Sequence, residues 1–247
     1  MTNSKARVQL DPVDEGLWRA LRQLAKTVDI KKWILVGGQM VRLHASIEGI
    51  EWPRVTTDAD IAVDIRAYRR EAMKEVAKAL ISDGFSLQPS PEGVSRFQKG
   101  RTFIDLLAPE GSGSLNVETA HGLHAVQAPG VTQALQRAIN IDISYLEEEL
   151  TIRIPSLIGA IVGKAAACTE IPSLSSDDRQ RHQSDLFFLL GLLTNHDVME
   201  VAKEFTDKDR QRVFQATQSV IHDENHRAFR MVKNVEDIVF ILNQIVR

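Results

Sequence analysis

The 247-residue chain has a single cysteine, Cys168. No disulfide can form within it, and every cysteine-rich zinc site is excluded. That usage suits a reducing compartment, so the expected location is cytoplasmic. No apolar run approaches the roughly 20 residues of a membrane-spanning helix. The most apolar stretch, IPSLIGAIVG, is about half that length and ends at Lys164. The opening MTNSKARVQL lacks the apolar core of a secretory signal. Thirty basic residues stand against 33 acidic ones, for a net charge of −3. A basic coat for non-specific nucleic-acid binding is therefore missing, although local basic patches stay open. The seven histidines are scattered, and no HExxH or comparable zinc spacing occurs. Also missing are GxGxxG, GxxxxGK[ST] and GxSxG. A dinucleotide fold, a P-loop and a serine hydrolase lose their support with them.

What is present is globular in composition, 43% hydrophobic and 26% charged. The length allows one large domain or two small ones, with a substantial core. Leu17, Leu21, Leu24 and Val28 recur at helical spacing, so a helix is expected over 13–28. Trp33 to Val36 reads as a short buried strand stopped by glycine, and QMVRLHASI returns to helix. DIAVDI, Asp60 to Ile65, alternates as a strand does, with Asp64 a strand-end or helix N-cap residue. A helix follows over 67–82 and ends at Asp83-Gly84. GFSLQ, VSRFQKG and TFIDLLA read as strands, separated by PSPEG and by Gly100-Arg101. HAVQA, INIDIS and LTIRIP suggest more strands, after a loop at Gly111-Ser-Gly-Ser. From Pro155, a residue suited to a helix's first turn, the pattern is helical: IGAIVGKAAAC, then 179–194, 196–205, 207–222 and 235–246. The expected class is α+β, a mixed sheet with flanking helices over 1–154 followed by a helical bundle over 155–247.

Two features carry chemistry. Strand, Gly37-Gly38, helix directs free backbone N–H groups at a helix N-terminus, an anion site by geometry and dipole; a purely structural turn is the alternative. Asp58 and Asp60 are two apart, so both project to one side of a strand. Paired carboxylates are hard oxygen ligands that suit Mg²⁺, or they form a solvated acidic turn. Asp105 interrupts the apolar run Phe103, Ile104, Leu106, Leu107, and a lone charge there needs a partner. A metal shared with Asp58 and Asp60 would supply one; an edge-strand position paired with Arg101 is the other reading. Three carboxylates from two strands can hold two metal ions for a phosphoryl displacement. Arg42, one turn after Gly38, faces either phosphate or solvent. Lys164 stands among Ile161, Val162 and three alanines, where its ammonium either snorkels to solvent or meets phosphate. Asp185 precedes an apolar run, where a helix first-turn residue is the alternative. His44 reads as packing or surface, and Thr56 as a backbone partner near the DxD turn.

Gly-Gly, a helix, Asp-x-Asp on the next strand and a single Asp on a later strand resembles the nucleotidyltransferase superfamily related to DNA polymerase β. Arg54-Val55-Thr56-Thr57-Asp58-Ala59-Asp60 is similar to the R-x-[ST]-x-D-h-D signature of its AbiEii-like members, the toxins of type IV toxin–antitoxin systems. Aminoglycoside nucleotidyltransferases carry a similar run. IPSLIGAIVGKAAACTE and RQRHQSDLFFLL resemble two later AbiEii-like helices. The likeness covers roughly residues 33 to 194 and departs from the pattern in three places. The second glycine position, Gly38, is often serine, and Gln39 follows it. Nineteen residues separate Gly38 from Asp58, with the surplus near Gly49 to Pro53. Ser184 and Phe188 replace a lysine and an aspartate.

The resemblance implies a metal-dependent transfer of a nucleoside monophosphate from a nucleoside triphosphate to an acceptor hydroxyl. Asp58, Asp60 and Asp105 would hold two Mg²⁺ ions, with Mn²⁺ a possible substitute. Gly37, Gly38, Gln39 and Arg42 would cradle the nucleotide phosphates, and Lys164 would offset their charge. Asp185 would orient or deprotonate the acceptor. The implied acceptor is RNA, with tRNA 3′ ends foremost, and a cognate antitoxin is an implied partner. An RNA path would need basic residues near the site, such as Arg66, Arg69, Arg70, Lys99 and Arg101. Two alternatives stay open: a small-molecule acceptor of aminoglycoside type, and an inactive binding module on the same fold.

Overall fold

A computed structural model describes residues 7–9, 15–52, 54, 56, 58–89, 95–111, 117–145, 148–171, 174–223 and 225–246. The PSPEG turn, the loop after Gly111, and Val55, Thr57 and Pro53 of the signature region lie outside the described residues, in whole or in large part. Two compact units result, Met1–Pro155 and Ser156–Arg247.

The first unit runs β1 (Arg7–Gln9), α1 (Glu15–Thr27), β2 (Trp33–Val36), α2 (Gly37–Ile47), β3 (Asp58–Val63), α3 (Ile65–Ser82), β4 (Ser86–Pro89), β5 (Ser95–Lys99), β6 (Thr102–Pro109), β7 (Val126–Ala128), α4 (Val131–Gln136), β8 (Ala138–Tyr145) and β9 (Glu148–Pro155). Its main sheet has the order β2-β3-β6-β5-β4, with β7 pairing β6. The sheet is mixed: β3 and β6 run parallel, while β2–β3, β5–β6 and β4–β5 are antiparallel. A second sheet has the order β1-β8-β9. The expected mixed sheet with flanking helices is present.

Alternation along the strands gives the main sheet two unlike faces. One carries Leu35, Ile61, Phe97, Ile104 and Leu106, all fully buried. Helices α1 and α3 contact β6 on the sheet, and α3 also contacts β3. They bring Leu17, Leu21 and Leu24 from α1, and Met73, Val76 and Leu80 from α3. Full burial of each such side chain is worth about 1.5–3 kcal/mol. The opposite face is covered at one end. There α4 lays Val131, Ala134 and Leu135 on Ile34, Val36 and Ala62. Beyond Ala62 the same face continues into Asp60 and Asp58, both half-buried.

Several expectations shift. The strand expected over Asp60 to Ile65 begins and ends two residues earlier. Asp64 is the cap of α3, its Oδ1 accepting from Ala67 N at 3.0 Å, and Ile65 already belongs to the helix. Pro155 does not start a helix. It closes β9, and Ser156 caps the next helix by accepting from Gly159 N at 3.2 Å. Neither β1 nor α4 was expected; at three and six residues they are too short to show a period.

The second unit is helical throughout its described residues: α5 (Leu157–Glu170), α6 (Ser176–Leu192), α7 (Val198–Ala202), α8 (Asp207–Ile221) and α9 (Val235–Val246), with two short 3₁₀ turns. A capping box starts α8, where the Thr206 side chain meets Asp209 N and the Asp209 side chain returns to Thr206 N. No helix among the described residues is long and apolar enough to cross a membrane.

One strained residue interrupts α3. Arg69 has φ 60° and ψ −171°, a region that is essentially glycine's own and costs a side chain about 1–3 kcal/mol. Glycine has its own entropic cost of about 0.5–1 kcal/mol. Arg69→Gly is therefore expected to raise stability by about 1 kcal/mol in urea unfolding. Arg69→Ala, which keeps a Cβ, should not.

Candidate active site

The glycine turn and the DxD strand are built as one piece. Gly37 adopts φ 67° between Val36 and the body of α2. A Cβ on Gly37 would lie 1.8 Å from Asp60 Oδ2, and one on Gly38 would lie 2.9 Å from Thr56 Oγ1. Both glycines thus make room for side chains of this same chain. Thr56 Oγ1 donates to Asp58 Oδ1 at 2.8 Å. It is a side-chain partner of the carboxylate, where the sequence suggested a backbone one. Gln39, expected among the phosphate contacts, is fully buried and its Nε2 donates to Thr56 O at 2.8 Å. Its amide holds the backbone two residues before Asp58.

Strand register brings in the third carboxylate. Val36 pairs with Asp60 across β2–β3, and Asp60 pairs with Asp105 across β3–β6. In-register neighbours share a sheet face, and Asp58 joins them two residues earlier on the same side. Asp105 sits on an interior strand between β3 and β5, so the edge-strand alternative falls. Its partner is Arg96 rather than Arg101. Arg96 Nε donates to Asp105 Oδ1 at 2.9 Å and Nη2 to Oδ2 at 2.6 Å, a two-pronged pair. The guanidinium also lies over the Phe103 ring, 5.5 Å from its centroid. The Arg96 pKa is raised above its ordinary value. The hydrogen bond to Asp105 is the largest cause; partial burial opposes it, and the charges of Asp105, Asp58 and Asp60 add to it. One cation thus feels all three carboxylates.

Sequence reasoning missed Arg96, although the signal was available. The two-residue turn Gly100-Arg101 pairs Lys99 with Thr102. Counting back along both strands gives Gln98 with Phe103, Phe97 with Ile104 and Arg96 with Asp105.

Three carboxylates and a hydroxyl, with no sulfur or imidazole, form a donor set suited to a hard cation. Among the described residues, no three acidic, histidine or cysteine side chains are already gathered as a metal site, and Arg96 engages both oxygens of Asp105. A cavity of about 690 Å³, lined by Trp18, Arg22, Asp83, Lys99, Tyr145 and Glu148 among others, contains none of these carboxylates.

No family model matches the chain, and no curated protein does. A solved structure does match: the solution structure of the antibiotic-resistance factor ANT(2'')-Ia. It is 11% identical, with 94% of this chain and 91% of that one covered, at a TM-score of 0.38. So slight a likeness bears no weight, and the site rests on its own register and side chains.

The other candidate residues stand as follows. Arg42 is half-buried on α2. His44 is buried, and its Nε2 lies 3.0 Å from Pro155 O, so Nε2 carries the proton. Arg54 lies over the Trp52 ring at 5.7 Å. Arg66 donates to Glu110 O. Lys99 donates to Asp83 O at 2.5 Å and pairs with its carboxylate at 3.0 Å. Within the helical unit, Lys164 Nζ lies 2.8 Å from Asp185 Oδ2, both side chains almost wholly buried. That lysine does not snorkel to solvent, because a carboxylate on the neighbouring helix meets it. Asp185 stands deep inside α6, not in its first turn. Beside this pair, burial pushes the Cys168 thiol up to about 12.

Two outcomes follow from these contacts. Gly37→Ala should destabilise by at least about 1–2 kcal/mol, through its φ and its collision with Asp60. The loss should shrink in an Asp60→Ala background, a coupling that a double-mutant cycle in urea reads directly. Breaking the buried ion pair with Lys164→Met alone should cost about 3–5 kcal/mol, and Lys164→Met with Asp185→Leu should recover most of it.

Proposed function

We propose that this chain is a metal-dependent nucleotidyltransferase. The observation that carries the reading is the register of β3 and β6. It sets Asp60 beside Asp105, with Asp58 on the same face and the Gly37-Gly38 turn packed against Asp60. Asp58, Asp60 and Asp105 would hold Mg²⁺, for which Mn²⁺ can substitute. When bound, the divalent ion stabilises the charge on the attacking and leaving oxygens of a phosphoryl displacement. The chain's own residues prepare the rest. The first N–H groups of α2 lack partners within the helix and receive phosphate oxygens. Thr56, held by Gln39 and packed on Gly38, fixes the direction of the Asp58 carboxylate. An acceptor hydroxyl would attack the α-phosphorus: the new P–O bond forms as the bond from the α-phosphorus to the α–β bridging oxygen breaks, the hydroxyl proton passes to water, and pyrophosphate leaves.

The finer form of the reading is the AbiEii-like one: an RNA acceptor, with tRNA 3′ ends foremost, and a cognate antitoxin as partner. The signature Arg54 to Asp60 supports it. A second reading, an inactive binding module, has an observation of its own, since Arg96 engages both oxygens of Asp105.

The test uses purified protein, Mg²⁺, each of the four labelled nucleoside triphosphates, and either total tRNA or an aminoglycoside as acceptor. Label transfer to one acceptor is expected. Asp58→Ala or Asp60→Ala should reduce it at least about 10²-fold, the size of losing one preorganised charge contact. No transfer from any triphosphate to either acceptor, with the protein folded and binding Mn²⁺, would leave the binding-module reading in its place.

A further inference from the structure

We propose that Arg96 is a resident counter-cation. It holds the three-carboxylate face in a metal-free arrangement, a divalent ion displaces it from Asp105, and the freed guanidinium then binds the triphosphate of the incoming nucleotide. This rests on the nucleotidyltransferase reading and adds to it a residue that neither the glycine turn nor the carboxylate pattern points to.

Four observations meet at Arg96. Its fork takes both oxygens of Asp105, so the carboxylate has its strongest in-plane acceptor directions filled. Register sets Arg96 directly across from Asp105 on β5, and Asp60 directly across from Asp105 on β3. Arg96 and Asp60 therefore flank the same carboxylate from opposite sides. Third, the pair is asymmetric: the Asp105 side chain is 17% exposed and that of Arg96 is 47%. The carboxylate is short and fixed to an interior strand; the guanidinium rides on a long stem with room to turn. Finally, the Phe103 ring, two residues before Asp105 on the same face, lies under the guanidinium, giving the cation a second surface to rest on when it leaves the carboxylate.

The charge balance favours exchange. Taken by themselves, these three carboxylates and one guanidinium sum to a formal charge of about −2, so Arg96 alone does not cancel the carboxylates. A divalent ion at the same distance is attracted twice as strongly to each carboxylate as the guanidinium is. Its arrival also removes the reason for Arg96 to stay, because two cations crowd one carboxylate. A triphosphate brings new negative charge to the same face, and planar phosphate oxygen pairs suit the guanidinium fork better than any lysine. Metal and nucleotide would then load in a linked way, each improving the other's binding, as linkage requires.

The test measures Mn²⁺ binding by the electron paramagnetic resonance of the free ion, on the full chain, for wild type, Arg96→Gln, Arg96→Lys and Asp58→Ala. Arg96→Gln should bind Mn²⁺ about tenfold more tightly than wild type, and Arg96→Lys, which keeps the charge but loses the fork, should fall between them. Inorganic tripolyphosphate, titrated at saturating Mn²⁺, should bind Arg96→Gln about tenfold more weakly. The two affinities moving in opposite directions is the signature; a merely structural arginine would move neither or weaken both. If wild type binds Mn²⁺, Asp58→Ala does not, and Arg96→Gln matches wild type, the counter-cation role is overturned while the metal site stands. Unchanged tripolyphosphate binding overturns the transfer of Arg96 to the nucleotide. If none of wild type, Arg96→Gln and Arg96→Lys binds Mn²⁺, this inference and the metal reading fall together. Should Arg96→Gln not fold, Arg96→Lys alone decides, since equal or weaker Mn²⁺ affinity there contradicts the exchange.

Discussion

Negative charge crowded onto one face of a sheet is the constraint that organises this molecule. Asp60 and Asp105 are direct neighbours across parallel strands, and Asp58 is one pleat away on the same side. Carboxylates so placed repel one another, and burial would make the repulsion worse. The fold answers in three ways. It keeps Asp58 and Asp60 only half-buried, while α4 covers the other end of the face. It lets Asp58 accept a hydrogen bond from the Thr56 hydroxyl. And it supplies Arg96, whose guanidinium binds one carboxylate and feels the other two. Each of these would be superfluous on an ordinary sheet surface.

The glycine pair depends on the same constraint. A glycine turn before a helix is usually explained by the close approach of a phosphate. Here the close approach is already made by Asp60 and Thr56, which fill the space a Cβ would need. The two explanations are compatible, because glycine removes bulk on one side of the backbone and leaves its N–H groups free to point elsewhere. Gln39 then acts as the turn's fastening: buried, it reaches the carbonyl of Thr56 across seventeen residues of sequence. Thr56 is thus tied to the first turn of α2.

The helical unit shows how a buried charge finds its own answer within the chain. Lys164 stands in an otherwise apolar helix, and from sequence its position invited a ligand. Asp185, on the following helix, meets it at 2.8 Å. Sequence brought these two residues forward separately, each by likeness to a family helix. Their pairing is a property of the packing of α5 on α6, and no local pattern carries it.

Much of the architecture was legible because it is local. The strand Trp33 to Val36 ends where a glycine with positive φ begins a helix, and the long helices declare themselves by period. The boundary errors have equally local causes: Asp64 is as good a cap as a strand residue, and Pro155 as good a strand end as a helix start. Arg96 lies between the two kinds of knowledge, since counting residues back from the Gly100-Arg101 turn would have paired it with Asp105. What sequence alone determined, then, is which side chains are acidic, which turns need glycine and where charge interrupts an apolar run. Which strand lies beside β3, and in what register, was decided only by the tertiary structure. Strand neighbours are chosen by burial of the whole opposite face, with Ile61, Ile104 and Leu106 on the strands that α1 and α3 contact, and that sum over distant residues leaves no mark in any short stretch of the chain.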